Sequence, residues 1–180
     1  MIMKRVAKFE KVSYKQFEKD YLDTFGYSNE EPSQRFRQEI ESMYYGLDLP
    51  TRATKFSAGY DVHTPFPFTL KPGEVIKIPT GIKCHMNTDY VLVLCPRSGL
   101  GFKYQAALSN TLGIIDCDFI NSDNEGHIFI KLVNRGDKEF SVTSNAAIAQ
   151  GIFLEYGITE DDHVEATRNG GFGSTDNNKE

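Results

Sequence analysis

Two textures of hydrophobic patterning meet near Leu47. Upstream, the loosely alternating run Arg5–Val12 predicts a first strand, and apolar residues then recur at helical spacing. Tyr14, Phe17, Tyr21, Leu22 and Phe25 mark one face as far as Gly26, and Ser13 with Gln16 three residues on reads as a capping box at the start. A second helix is predicted from Ser28, with Glu31 three residues on and Pro32 in the first turn; Phe36, Ile40, Met43 and Tyr44 carry its face to Gly46. Residues 13–46 therefore read as a helical pair inserted behind the first strand. Its aromatic stripe suits core packing, and a face for a protein partner is the alternative use.

Downstream, short β-rich runs take over. Val75–Pro79, Tyr90–Cys95, His127–Leu132 and Ile148–Leu154 read as strands, punctuated by Gly, Asn, Asp and Pro. That spacing predicts a mainly β sandwich or barrel, and nothing after residue 47 alternates strand with helix. The segment 167–180 has no core-forming pattern and is expected to be a flexible tail on a single domain spanning 1–176.

Composition narrows the function. The chain has 180 residues, enough for one domain with a real core. A formal charge of −5 removes the basic field that a general nucleic-acid or membrane-surface binder needs, so any phosphate site must be local. Cys84, Cys95 and Cys117 form no C-x-x-C pair and read as reduced thiols. His63, His85, His127 and His163 are scattered and are assigned structural or surface roles. Met1–Arg5 lacks the apolar run of a signal peptide, and a cytoplasmic protein is expected.

Three segments carry candidate chemistry. In Gly113-Ile114-Ile115-Asp116-Cys117-Asp118-Phe119 an apolar run opens onto Asp116, the pattern of a strand end that presents a carboxylate at the mouth of a cleft. Pro96-Arg97-Ser98-Gly99 follows a strong strand and combines a forked cation, a hydroxyl and accessible backbone, which suits phosphate. The tail repeats that combination in Arg168, Gly170-Gly171, Phe172, Gly173 and Ser174-Thr175. One bulky ring among glycines fits a lid that stacks on a base.

With Ala58-Gly59-Tyr60-Asp61, Asn110 and Ile148-Ala149-Gln150 added, the chain resembles the trimeric-type dUTPases over roughly residues 47 to 176 and the first strand. The resemblance implies a jelly-roll-type β-barrel, a homotrimer with shared active sites, and Mg2+-dependent hydrolysis of dUTP to dUMP and pyrophosphate. It makes Asp116 the general base. It gives the uracil edge to Asn110 and the backbone from Gly113 to Ile115, and lays Phe119 under the sugar. Arg97, Ser98, Gly99 and Gln150 would hold phosphates, with Asp61 orienting Arg97. Arg168, Phe172, Gly173, Ser174 and Thr175 would close over the substrate. Mg2+ would be held mainly through substrate phosphates and water, with no protein ligand cage. Departures are Phe119 where Tyr is usual, a lengthened connection from Ile120 to Glu125, Ala147 where Arg is usual, and Asp176 after the last motif. Two other readings use the same fold: a dCTP deaminase, which would need an acid where Lys131 stands, and a nucleotide-sensing or protein-binding homologue acting through 13–46.

Overall fold

The computed structural model describes residues 3–27 and 31–168. Among these, twelve strands and three α-helices follow in order: β1 (Ala7–Lys11), α1 (Tyr14–Phe25), α2 (Gln34–Tyr45), β2 (Thr51–Arg52), β3 (Tyr60–His63), β4 (Phe68–Leu70), β5 (Val75–Pro79), β6 (Ile82–Met86), β7 (Tyr90–Pro96), α3 (Ser98–Tyr104), β8 (Ala106–Leu108), β9 (Gly113–Ile115), β10 (Phe129–Asn134), β11 (Phe140–Val142) and β12 (Ala147–Glu155). A 3-10 turn over Cys117–Asn121 follows β9. The largest sheet runs β2-β3-β12-β7-β9, and β5-β10-β8, β1-β6 and β11-β4 form smaller ones. All these pairings are antiparallel. This is the mainly β architecture that the short strands and turns predict, of the jelly-roll type that the resemblance implies.

The inner faces of the strands meet in one core. Val62, Leu70, Ile78, Leu92, Leu94, Leu108, Ile130, Leu132, Phe140 and Ile148 are all buried there. β7 and β12 are the longest paired strands, in register from Ala149↔Pro96 to Glu155↔Tyr90. A bulge between Ala147 and Ala149 shifts β12 against β3 so that Gln150 lies opposite both Asp61 and Cys95.

The helical pair has its own small core of Val12, Phe17, Ile40 and Leu47, rimmed by Tyr14, Leu22, Phe36 and Tyr44. Tyr21 and Met43 pack against both cores. The aromatic stripe is thus used for packing. The Tyr44 hydroxyl donates to the Val12 carbonyl (2.7 Å), and the Asn145 amide to the Gly46 carbonyl (3.1 Å).

Three sequence expectations are corrected here. The second helix starts at Gln34 with Ser33 as its cap, because the Ser33 hydroxyl accepts the Phe36 N–H, so Pro32 precedes the helix instead of opening it. The capping box at Ser13 is only half formed: its hydroxyl accepts the Gln16 N–H, but the Gln16 amide turns to Asp20 (2.9 Å). The Ser13 N–H is taken instead by Glu125, 112 residues away (2.9 Å). His127, expected inside a strand, precedes β10 and is fully buried between α1 and the barrel. Its Nε2 accepts the Gly81 N–H (2.7 Å), which leaves Nδ1 to donate to Asp20 (2.6 Å).

The junction between helices and barrel is therefore polar as well as apolar. Removing the buried Phe17 ring is expected to cost about 3–5 kcal/mol. Chemical denaturation of Phe17→Ala should show that loss in a single transition, and a loss below about 1 kcal/mol would mean that the helices do not dock as described.

Candidate active site

Two clusters of the expected residues form in this chain, on different parts of the large sheet. The first surrounds Asp116. Asp116 follows β9 directly as the N-cap of the 3-10 turn, in extended backbone (φ −73°, ψ 157°). Its side chain is half-exposed. Asn110, Gly113, Ile114, Ile115, Phe119, Lys131 and Arg168 line a cavity of about 210 Å³ beside it, floored by Leu94 and Leu108. Gly113 packs closely there, since a Cβ would stand 3.0 Å from the Leu94 Cβ. Asn110 opens a turn in which Thr111 takes a left-handed φ of 68° and Leu112 N–H returns to the Asn110 carbonyl (2.7 Å). Phe119 is buried, presenting its ring as one wall of the cavity.

Arg168 reaches back into this cluster. Its Nη2 donates to Asp116 Oδ2 and its Nε to Asp118 Oδ1 (2.9 Å), and its guanidinium lies 5.7 Å from the centroid of the Phe119 ring. Asp118 is a participant that sequence reasoning missed as a site residue. The Tyr156 phenol is pushed above its ordinary pKa, first by burial and then by Cys117, Asp116 and Asp118. Only its place two residues after Asp116 could have pointed to Asp118.

The second cluster joins Asp61, Arg97 and Gln150. Arg97, the N-cap of α3, donates from Nη1 to Asp61 Oδ2 (3.0 Å). Ser98 and Gly99 open α3 and are exposed, with no side chain capping the helix. Gly59 gives Gln150 its room, because a Cβ there would stand 2.6 Å from Gln150 Oε1. Asp61 thus restrains the fork of Arg97 beside exposed backbone and a hydroxyl, an arrangement suited to phosphate oxygens.

The two clusters are held apart by β7. The β7–β9 register pairs Leu92 with Ile115, so Asp116 lies beyond Leu92 toward Tyr90, while Arg97 follows Pro96 at the other end. Six residues of strand separate the levels of Asp116 and Arg97, roughly 20 Å at the usual rise per residue. Neither Arg97, Ser98, Gly99, Gln150 nor Asp61 lines the Asp116 cavity. A larger cleft of about 730 Å³, between residues 3–7 and the 52–60 loop, contains Tyr60 but none of the acids.

Phe172, Gly173, Ser174 and Thr175 lie outside the described residues. Among the described residues no group of three or more His, Cys, Asp or Glu side chains could hold a metal ion. No helix there is long and apolar enough to cross a membrane.

Fold and side chains together define a jelly-roll-type barrel with a carboxylate at a nucleoside-sized cavity and a separate Arg–hydroxyl anchor. The family model described as dUTPase matches residues 46–176, and the chain belongs to that family. It is 38% identical over 133 residues to the deoxyuridine 5'-triphosphate nucleotidohydrolase of Lactococcus lactis, covering 72% of this chain and 89% of that one. The crystal structure of dUTPase from Streptococcus mutans superposes with a TM-score of 0.57 at 34% identity, over 62% of this chain and 88% of that one. A mutant dUTPase from phage phi11 of S. aureus, described with a structural Mg(II) ion, shares the fold at 20% identity (TM-score 0.55, 67% of this chain and 91% of that one). The helical pair, α1 and α2, precedes the matched residues.

The Arg97–Asp61 pair yields a direct test. Asp61→Ala should weaken binding of inorganic triphosphate about tenfold by calorimetry, because the guanidinium fork loses the partner that orients it. Unchanged affinity would remove Asp61 from the anchor.

Proposed function

We propose that this chain hydrolyses dUTP to dUMP and pyrophosphate. The observation that carries the proposal is the cavity lined by Asn110, the Phe119 ring and Arg168, with Asp116 beside it and bonded to that same Arg168. Asp116 takes a proton from a water molecule, the water oxygen attacks the α-phosphorus, and the α–β bridging P–O bond breaks as pyrophosphate leaves. Asn110 and the backbone from Gly113 to Ile115 read the uracil edge. The Phe119 ring packs against the sugar, where a 2′-hydroxyl would have no room.

Selectivity follows from how each wrong base fails. A lost methyl contact is worth only about 1–3 kcal/mol, so dTTP is rejected by a clash with the tight Asn110–Gly113 turn. The wrong hydrogen-bond polarity of cytosine leaves buried groups unpaired at Asn110. Lys131 lines this cavity where a deaminase would place a carboxyl, and this favours hydrolysis over dCTP deamination.

The triphosphate brings about four negative charges to an acidic chain, so they are neutralised locally. Arg97, Ser98, Gly99 and Gln150 take phosphate oxygens, with Asp61 behind Arg97. Among the described residues the acids make no ligand cage, so Mg2+ would arrive on the phosphates and waters, with Asp61 the carboxylate nearest that anchor. Bound there, the ion would neutralise phosphate charge. Arg168 leaves Asp116 and Asp118 to meet the phosphates, which uncovers the base. Residues 167–180, with Phe172, Gly173, Ser174 and Thr175, then act as the lid that excludes water.

The span of β7 makes the homotrimer part of the chemistry. One phosphate chain cannot reach from Asp116 to Arg97 within one subunit, so Asp116 works with the Arg97 cluster of a neighbouring copy. Cys84, Cys95 and Cys117 are unpaired, which fits an enzyme of the cytoplasm.

A hydrolysis panel tests the activity: dUTP should be consumed in preference to dTTP, dCTP and UTP, and indifference among them would refute the reading. Asp116→Asn should lower kcat about 10³-fold with nucleotide still bound, and Arg97→Ala should raise KM. Mixing the two variants after unfolding and joint refolding, and assaying with dUTP far below the KM of Arg97→Ala, should restore about a quarter of the parental activity, since random trimers place intact Asp116 beside intact Arg97 in that share of sites. Absence of any recovery would mean that the site is not shared between copies.

A further inference from the structure

The segment from Asp116 to His127 is a ladder of tight turns. Phe119 N–H bonds the Asp116 carbonyl (3.1 Å), Ser122 N–H the Phe119 carbonyl (3.0 Å), Glu125 N–H the Ser122 carbonyl (2.9 Å) and His127 N–H the Asn124 carbonyl (3.1 Å). Near its end the backbone is left-handed at two successive residues, Glu125 (φ 59°) and Gly126 (φ 71°). That conformation is unfavourable at Glu125 and persists only where the surroundings enforce it. It also presses Gly126 against the ladder: a Cβ there would stand 2.7 Å from the Ile120 Cα and 3.0 Å from the Phe119 carbonyl oxygen. The position of the Phe119 backbone is therefore tied to that of residues 125–126.

The enforcing contact comes from α1. The Glu125 carboxylate accepts from both the Ser13 N–H (2.9 Å) and the Ser13 hydroxyl (2.6 Å), at the positive end of the helix, and the Lys83 ammonium adds a third contact (3.4 Å). Two residues further on, His127 is clamped between Gly81 and Asp20 of the same helix. Burial alone would raise the Glu125 carboxyl, but the Ser13 bonds and Lys83 outweigh it and hold its pKa below the ordinary value. The anchor is thus complete at neutral pH and is lost as the pH falls through the carboxylate range.

We infer that Glu125, gripped by the N-terminus of α1, is a positioning residue for the Asp116–Phe119 segment, and that the helical pair thereby sets the aromatic wall that discriminates dUTP from UTP. The inference rests on the hydrolytic reading of the site. It assigns the helices a task in substrate selection that their packing alone does not imply.

Glu125→Gly tests it without adding strain, because glycine accepts a positive φ. At a temperature where the variant is fully folded, kcat/KM for dUTP should fall about tenfold, and the dUTP:UTP preference should fall by a similar factor. Ser13→Ala should move both quantities in the same direction by less, and the double variant should be no worse than Glu125→Gly alone. A lowered Tm with kcat, KM and preference all within twofold of the parent would overturn the inference, as would strictly additive effects. Amide exchange in the nucleotide-free proteins gives a second readout: residues 117–122 should exchange faster in Glu125→Gly, and unchanged protection would also overturn it. Should the parent protein leave dUTP intact, the hydrolytic reading falls, and the exchange arm still decides whether Glu125 holds this segment.

Discussion

The antiparallel ladder that locks β7 between β12 and β9 governs what this molecule can do. β12 brings Gln150 to the Arg97 end of β7, while β9 delivers Asp116 toward the other end. Backbone hydrogen bonding cannot be slipped by one step without turning buried Leu92 and Leu94 outward, so the two clusters are fixed in both distance and facing. A site that needs both must draw them from different copies of the chain. In this account, assembly is a chemical requirement, enforced by the register of a single strand.

The acids around Asp116 pose a second constraint. Asp116 and Asp118 share one guanidinium, and that same Arg168 lies close to the Phe119 ring. Two carboxylates so close together are stabilised by a shared cation. On the proposed reading, a triphosphate would compete for that cation and at the same moment free the carboxylate the reaction needs. Substrate binding and exposure of the base are then one exchange of partners for Arg168.

Much of the fold was legible in the sequence because its signals are local. Tyr14, Phe17 and Tyr21 recur at helical spacing, and α1 ends at Gly26 in a left-handed cap as that residue suggests. The runs at 75–79, 90–95 and 148–154 are strands, as their β-favouring residues between turn-formers suggest. What failed depends on a choice between neighbouring local signals or on partners far along the chain. Ser28 and Ser33 offer the same cap chemistry, and the helix takes the later one. The half of the capping box missing at Ser13 is supplied by Glu125, which no local pattern announces. His127 sits in an apolar run that reads as strand, yet Asp20 and Gly81 hold its ring at a helix junction. In the candidate site the residue types were readable from the motifs, whereas the separation of Arg97 from Asp116 emerges only from strand register.

The central claim is that Asp116 directs water onto the α-phosphorus of a nucleoside triphosphate. Hydrolysis of dUTP in water enriched in heavy oxygen reads this directly, because the label marks the phosphorus attacked. The account predicts label in dUMP and none in pyrophosphate. Label in the pyrophosphate would place the attack on the β-phosphorus and contradict it.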